Sequence, residues 1–104
     1  MVGDADLQLP QEGNSHNFAP EVVRRVWSTA DQLGYRDQFI GRVGRQITDD
    51  HIPLQEAGIR AIDVIDLDYG PNNSYWHTHE DTLDKVSAES LQIVGDVAMA
   101  VIRR

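Results

Sequence analysis

The sequence predicts an α/β fold with few strands and two main helices, and three observations carry that prediction. Residues 20–33 and 87–102 place apolar side chains at helical spacing. Residues 60–67 hold Ala61, Ile62, Val64, Ile65 and Leu67, a β-rich and nearly continuous apolar run. Such a run suits a strand buried on both faces of a parallel sheet. The remainder is cut into short pieces by glycine, proline and asparagine, so helix and strand alternate with few strands in all.

The elements follow in order. Residues 1–9 mix Val2, Ala5, Leu7 and Leu9 with Asp4 and Asp6, which reads as the end of a strand running into a loop closed by Pro10 and Gly13. In the helix at 20–33, Asn17 or Ala19 precedes the first turn, Pro20 suits that turn and Gly34 suits the position after the last. Val22, Val23, Val26, Trp27, Ala30 and Leu33 mark its apolar face. Trp27 belongs to the core, while Arg24 and Arg25 point to solvent. Gly41 and Gly44 break 35–48 into short extended pieces and turns. Residues 50–57 read as a short helix ended by Gly58, with Pro53 in its first turn. Residues 68–74 form a loop.

Ser87 can cap the last helix, which runs to Ile102 with Glu89 in its first turn. Leu91, Val94, Val97, Ala98, Val101 and Ile102 form its expected buried face. Two or three strands leave a sheet edge open, and an open edge must be paired or covered. The chain therefore reads as part of a larger sheet.

At 104 residues the chain is one domain at most. It has no cysteine, which excludes disulfides, thiolate metal sites and cysteine nucleophiles. A net charge of -8 argues against nucleic acid and anionic membranes as partners. It suits a metal ion or a substrate with a free amine, although solubility alone also accounts for it. No apolar run approaches the roughly 20 residues of a membrane span. The first residues lack the basic and apolar regions of a signal peptide, so localisation is unassigned.

Three polar clusters could carry chemistry. Tyr75-Trp76-His77-Thr78-His79-Glu80-Asp81 sets an imidazole after two aromatics and before a run of acids, a setting that suits a zinc ligand. His77 and His79 would face the same way if extended. Asp49-Asp50-His51 at a helix start could orient a metal ligand or pass a proton; capping of the helix by either aspartate is the simpler account. Asp63, Asp66 and Asp68 interrupt the apolar run, and Asp66 and Asp68 would share a strand face. A cation, an arginine or loop amides could satisfy them. His16, among Asn14, Ser15 and Asn17, reads as a loop histidine.

Taken together, these segments resemble the C-terminal part of the M28 family of zinc exopeptidases, which includes the animal-type glutaminyl-peptide cyclotransferases. The resemblance rests on Met1-Val2-Gly3-Asp4, Asp49-Asp50-His51-Ile52-Pro53 with Gly58, Ala61-Ile62-Asp63-Val64-Ile65-Asp66, Tyr75-Trp76-His77-Thr78 with Glu80-Asp81-Thr82, and the final helix. It covers essentially the whole chain, so residues 1–104 are expected to be a single partial domain of a three-layer α/β/α sandwich. It implies that His77 is a zinc ligand, that Trp76 walls the substrate pocket, and that Asp49 is a catalytic-site carboxylate.

The family's other ligands and its general base lie upstream of the matched part. A single imidazole binds zinc weakly, since catalytic sites use three protein ligands. The chain is therefore expected to hold zinc poorly alone and to be inactive alone. In the complete protein the resemblance implies aminopeptidase-type hydrolysis of peptides with a free N-terminus. Asp49 and Trp76 lean toward the alternative, cyclisation of N-terminal glutamine. A third alternative is a non-catalytic truncated chain that associates with itself or with a missing N-terminal half.

Overall fold

A computed structural model describes residues 1–103. The order of elements is β1 (Leu9–Gln11), α1 (Gly13–Phe18), α2 (Pro20–Gln32), β2 (Phe39–Val43), α3 (His51–Glu56) and α4 (Ala88–Ile102). Two single 3₁₀ turns, Pro71–Asn73 and Leu83–Lys85, interrupt the loop before α4.

β1 and β2 are parallel, with Leu9 opposite Phe39 and Gln11 opposite Val43, so the register slips between the two pairs. Parallel neighbours need a long crossover, and α1 with α2 supplies it. Pro10 lies inside β1, although the sequence suggested that the chain had already left its strand there. The Leu9 N–H donates to Gln38 and the Gln11 carbonyl accepts from Gly44, so the ladder needs nothing from the residue between them. A proline is tolerated in a strand at such a position.

Pro20 opens α2 and Gly34, at φ 88°, ends it, as its sequence required. α4 is capped by Ser87, whose Oγ accepts the Ser90 N–H at 3.0 Å. These two helices and the strands share one core of Leu7, Leu9, Val23, Trp27, Ala30, Phe39, Ile93 and Val97. Trp27 sits at its centre. Its ring meets Phe39 edge-on at 5.3 Å. Its Nε1–H is shared between the carbonyls of Leu9 (3.2 Å) and Ile40 (3.0 Å), tying α2 to both strands.

Glu12 is a second knot, one not singled out by the sequence analysis. It precedes α1, an element not expected at all, and is 2 % exposed. Oε2 accepts the N–H groups of Asn14 (2.7 Å) and Ile47 (2.9 Å). Oε1 accepts the Ser15 N–H (2.9 Å) and hydroxyl (2.8 Å). Burial works to raise the pKa of this carboxyl, but the hydrogen bonds from Ile47, Asn14 and Ser15 outweigh it and hold the group below its ordinary value. One carboxylate thus starts α1 and fastens the 44–47 strap to it.

Several expectations are corrected. Residues 60–67 form neither strand nor helix. The Asp63 N–H goes to the Ser15 hydroxyl and the Asp66 N–H to the Met1 carbonyl. The amides of Ile62, Val64, Ile65 and Leu67 have no hydrogen-bond partner among the described residues. A ladder needs a neighbour in register, and none of the described segments offers one. His16 lies in α1 rather than in a loop. On α4, Leu91 is 52 % and Ile102 74 % exposed, while Ile93 joins the core. An apolar groove of about 310 Å³ remains open between Val26, Phe39, Ile62, Val64, Val97 and Val101.

Asp66 is 1 % exposed, and its Oδ2 accepts the Gln8 N–H at 2.9 Å. Its other oxygen, like Oδ2 of buried Asp4, has no hydrogen-bond partner among the described residues. Burial first, and then the neighbouring Asp4 and Asp68 charges, push the Asp66 carboxyl up to about 7 from an ordinary 3.8.

Three outcomes are expected. Glu12→Ala strands the donors it held and lowers the unfolding free energy by about 3–5 kcal/mol in urea titrations. Because the folded-state value of Asp66 is raised, its stabilising contribution is complete below about pH 4 and is lost as pH rises through about 7. Thermal melts of Asp66→Asn should therefore fall less between pH 4 and 7 than those of the wild type. In hydrogen exchange the amides of Ile62, Val64 and Leu67 exchange as loop amides, whereas Leu9 and the middle of α2 exchange only on global unfolding.

Candidate functional site

The loop from Tyr69 to Lys85 presents the aromatic–histidine motif. Its anchor is Tyr69, fully buried, whose hydroxyl donates to Asp81 Oδ1 at 2.7 Å. The Tyr69 N–H donates to the Asn73 side chain, and the Tyr75 N–H returns to the Tyr69 carbonyl. The two tyrosine rings meet edge-on at 5.5 Å, and Lys85 Nζ lies 4.9 Å from the Tyr75 ring centre. Gly70 makes this turn possible. Its φ is 78°, and a Cβ there would come within 2.4 Å of Tyr75 Cδ2.

On this platform the chain turns tightly rather than extending. Asn72, Asn73 and His77 adopt positive φ values of 53°, 60° and 53°. His77 and His79 are therefore not a strand pair facing one way. The Trp76 indole and His77 imidazole stack with centroids 4.1 Å apart and planes 18° apart. Both side chains are exposed, Trp76 to 42 %. A cleft of about 440 Å³ beside the loop is lined by Asp4, Asp6, Gln8, Asp68 and Tyr75, an acidic hollow.

The second cluster centres on His51, 4 % exposed at the start of α3. Its Nε2 is 2.8 Å from Glu12 Oε1 and its Nδ1 is 3.6 Å from Asp63 Oδ2. Neither contact is a hydrogen bond, so both ring nitrogens lie buried beside a carboxylate without a directed partner. The acids that meet His51 are thus remote in sequence and are not its neighbours Asp49 and Asp50. Neither aspartate caps α3 through its side chain; Asp49 Oδ1 instead accepts the Asp50 N–H at 2.8 Å. Burial first, then the Asp49 charge, raise the Asp63 carboxyl to about 6 against the opposing effect of His51. Asp68 pairs with Arg45 at 3.1 Å at the surface.

The predicted site residues thus fall in two places. Trp76 and His77 stand together on the Tyr69 loop. Asp49 belongs to the His51 cluster, and no hydrogen bond, ion pair or ring contact joins it to either of them. Among the described residues no three histidine, cysteine or acidic side chains are gathered to hold a metal ion. Zinc needs three or four protein ligands, and one imidazole does not fit that requirement, so the chemistry of this chain is derived from its own side chains. Glu12 and Asp63 escaped sequence reasoning as partners of His51. The one available signal was an acid directly before Gly13-Asn14-Ser15, a pattern compatible with a helix cap.

The sequence pattern of peptidase family M28 matches residues 3–102. Aminopeptidase YwaD of Bacillus subtilis is 30 % identical over 95 % of the chain, which spans only 24 % of that protein. A leucine aminopeptidase precursor from Bacteroides thetaiotaomicron superimposes with a TM-score of 0.90 and 37 % identity, over 98 % of this chain and 34 % of its own. The glutaminyl cyclase of Porphyromonas gingivalis gives 0.89 and 33 %, over 99 % of this chain and 39 % of its own. A zinc-dependent exopeptidase from Parabacteroides distasonis gives 0.88 and 36 %, over 98 % and 36 %. The chain spans about a quarter to two fifths of the length of these relatives, and its fold is the α/β fold of the zinc exopeptidases. The chain belongs to peptidase family M28.

Proposed function

We propose that the chain is the C-terminal part of an M28 catalytic domain that, when complete, removes N-terminal residues from peptides. The observation that carries this reading is the family match across residues 3–102, which brings with it the stacked Trp76–His77 pair. In this reading His77 contributes one ligand to a zinc site whose other donors come from the rest of the domain. Stacking on the indole limits rotation of the imidazole and so favours one direction of its free nitrogen. Trp76 gives the substrate an apolar wall. Asp49, exposed and ionisable, accepts a hydrogen bond from a substrate N–H or ammonium group. The groove beside Val26 and Val101 and the unpaired amides of Ile62, Val64, Ile65 and Leu67 support the need for further polypeptide, because both are surfaces that a complete sheet and its helices cover.

A second reaction has its own support. Tryptophan at the pocket wall and several similar glutaminyl cyclases, including one from Bacteroides thetaiotaomicron at 36 % identity, favour cyclisation of an N-terminal glutamine with release of ammonia. The same three residues would serve it, with Asp49 as the carboxylate that exchanges a proton with the reacting amine or amide.

The test is a chimera in which residues 3–102 replace the matching stretch of aminopeptidase YwaD. The chimera is expected to release free N-terminal amino acids in zinc-containing buffer, while the 104-residue chain alone shows no turnover. His77→Ala in the chimera should lower kcat/KM by more than about 100-fold, the upper end for losing even an outer-shell partner of a metal. Full activity in that variant removes the ligand assignment. Pyroglutamyl peptide as the only product would replace hydrolysis by cyclisation.

A further inference from the structure

α4 buries one face and leaves the opposite one bare. Ser90, Ile93 and Val97 point inward. Ala88, Leu91, Gly95, Ala98, Met99 and Ile102 are all exposed, Leu91 to 52 %, Met99 to 46 % and Ile102 to 74 %. At about 100° per residue these six lie within about 60° of Gly95, so they form one apolar stripe along the whole helix. Glu89, Ser90, Gln92 and Asp96 are the only polar side chains among its 15 residues. A helix apolar on both faces belongs in an interior, and a contiguous exposed apolar surface marks a contact. The stripe is symmetric about Gly95: Leu91 and Met99 lie four residues to either side of it, Ala88 and Ile102 seven. The midpoint itself is bare, and a Cβ built on Gly95 would meet nothing within 4 Å.

We propose that this stripe is the contact between two copies of the chain, packed α4 against α4 in antiparallel order about a two-fold axis at Gly95. In that register Leu91 meets the second copy's Met99, and Ala88 meets its Ile102. Spacings of four and seven suit helices crossing near 20°, and the glycine lets the two backbones approach. Charge favours the same order. Glu89 lies six residues before the midpoint and Arg103 eight after it, on one flank of the helix. The two-fold brings each Glu89 beside the second copy's Arg103, offset by about 3 Å along the axis at 1.5 Å per residue. Neither makes an ion pair within its own copy. A parallel pair would instead set Glu89 against Glu89 and Arg103 against Arg103, which like-charge repulsion opposes. Asp96 shares that flank but is held within its own copy, where it accepts from the Tyr35 hydroxyl at 2.8 Å and from Gln92 at 2.7 Å. A 15-residue helix is about 22 Å long. A contact of that length falls in the small, transient class of interfaces, so the dimer is weak and governed by concentration. The inference does not rest on the peptidase reading.

The test is sedimentation equilibrium of the 104-residue chain over roughly a hundredfold range of concentration. Salt at about 0.15 M screens charges more than about 8 Å apart, so the net charge of each copy does not mask the contact. The mean mass should rise from that of one chain toward that of two. Gly95→Glu fits a single copy, because the position is open, but sets two carboxylates together at the two-fold and should weaken the dimer by about tenfold or more. Glu89→Arg and Arg103→Glu should each weaken it about threefold, and the double variant should restore it. Circular dichroism of each variant at the lowest concentration should match the wild type, which separates a lost contact from a lost fold. A single-chain mass at every concentration overturns the proposal and leaves the stripe to another polypeptide. Association that Gly95→Glu leaves unchanged gives the contact to another surface, such as the groove at Val26 and Val64, and overturns it as well. Weakening by both charge variants without rescue in the double variant overturns the antiparallel register.

Discussion

The buried carboxylate of Glu12 is the constraint on which the site-bearing half of the structure depends. An ionised acid inside a protein is tolerated only when its oxygens are met by donors. Here the donors come from α1 and from the strap at Ile47, and the imidazole of His51 on α3 packs against the same carboxylate, with Nε2 2.8 Å from Oε1. These segments have little apolar surface of their own, and α1 and α3 are each only six residues long. Helices that short are not stable by propensity. They persist because each supplies a group that the same charge needs.

A different logic governs the other half. Trp27 stands between β1, β2 and α4 and is held both by its ring contact with Phe39 and by its shared N–H. This core is apolar and closed around α2. Toward residues 60–67 it opens: apolar side chains line a groove, and the amides beside it lack partners. Parallel sheets in α/β proteins are covered on both faces. The covered face and the open one meet at this segment, which also carries Asp63 into the His51 cluster and Asp66 toward Asp4. Completing the sheet would therefore bear directly on the geometry of the carboxylates.

The Trp76–His77 pair is built differently again. It depends on no helix or strand but on a buried tyrosine, a glycine pressed against a second tyrosine ring, and three residues in left-handed conformation. Conformations of that kind persist where surrounding contacts over-determine them, and they concentrate at functional loops. An imidazole presented at the tip of such a loop is oriented but solitary, which suits a group that completes a site rather than one that forms it.

The sequence by itself determined the local elements. Helical periodicity with Pro20, Gly34 and Ser87 set α2 and α4, Pro53 and Gly58 bounded α3, and the joined motifs marked the M28 family. These signals are local because caps and periodicity act within a few residues. Tertiary structure alone decided what depends on distant partners. Residues 60–67 have the composition of a strand but no ladder, since pairing belongs to two segments and not to one. His51 was read with Asp49 and Asp50 because they adjoin it, whereas Glu12 and Asp63 reach it across 39 and 12 positions of chain. His77 and His79 were compatible with a shared face until the Gly70–Tyr75 turn curled the backbone. Charge pairing acts through space, so no spacing along the chain could have specified it.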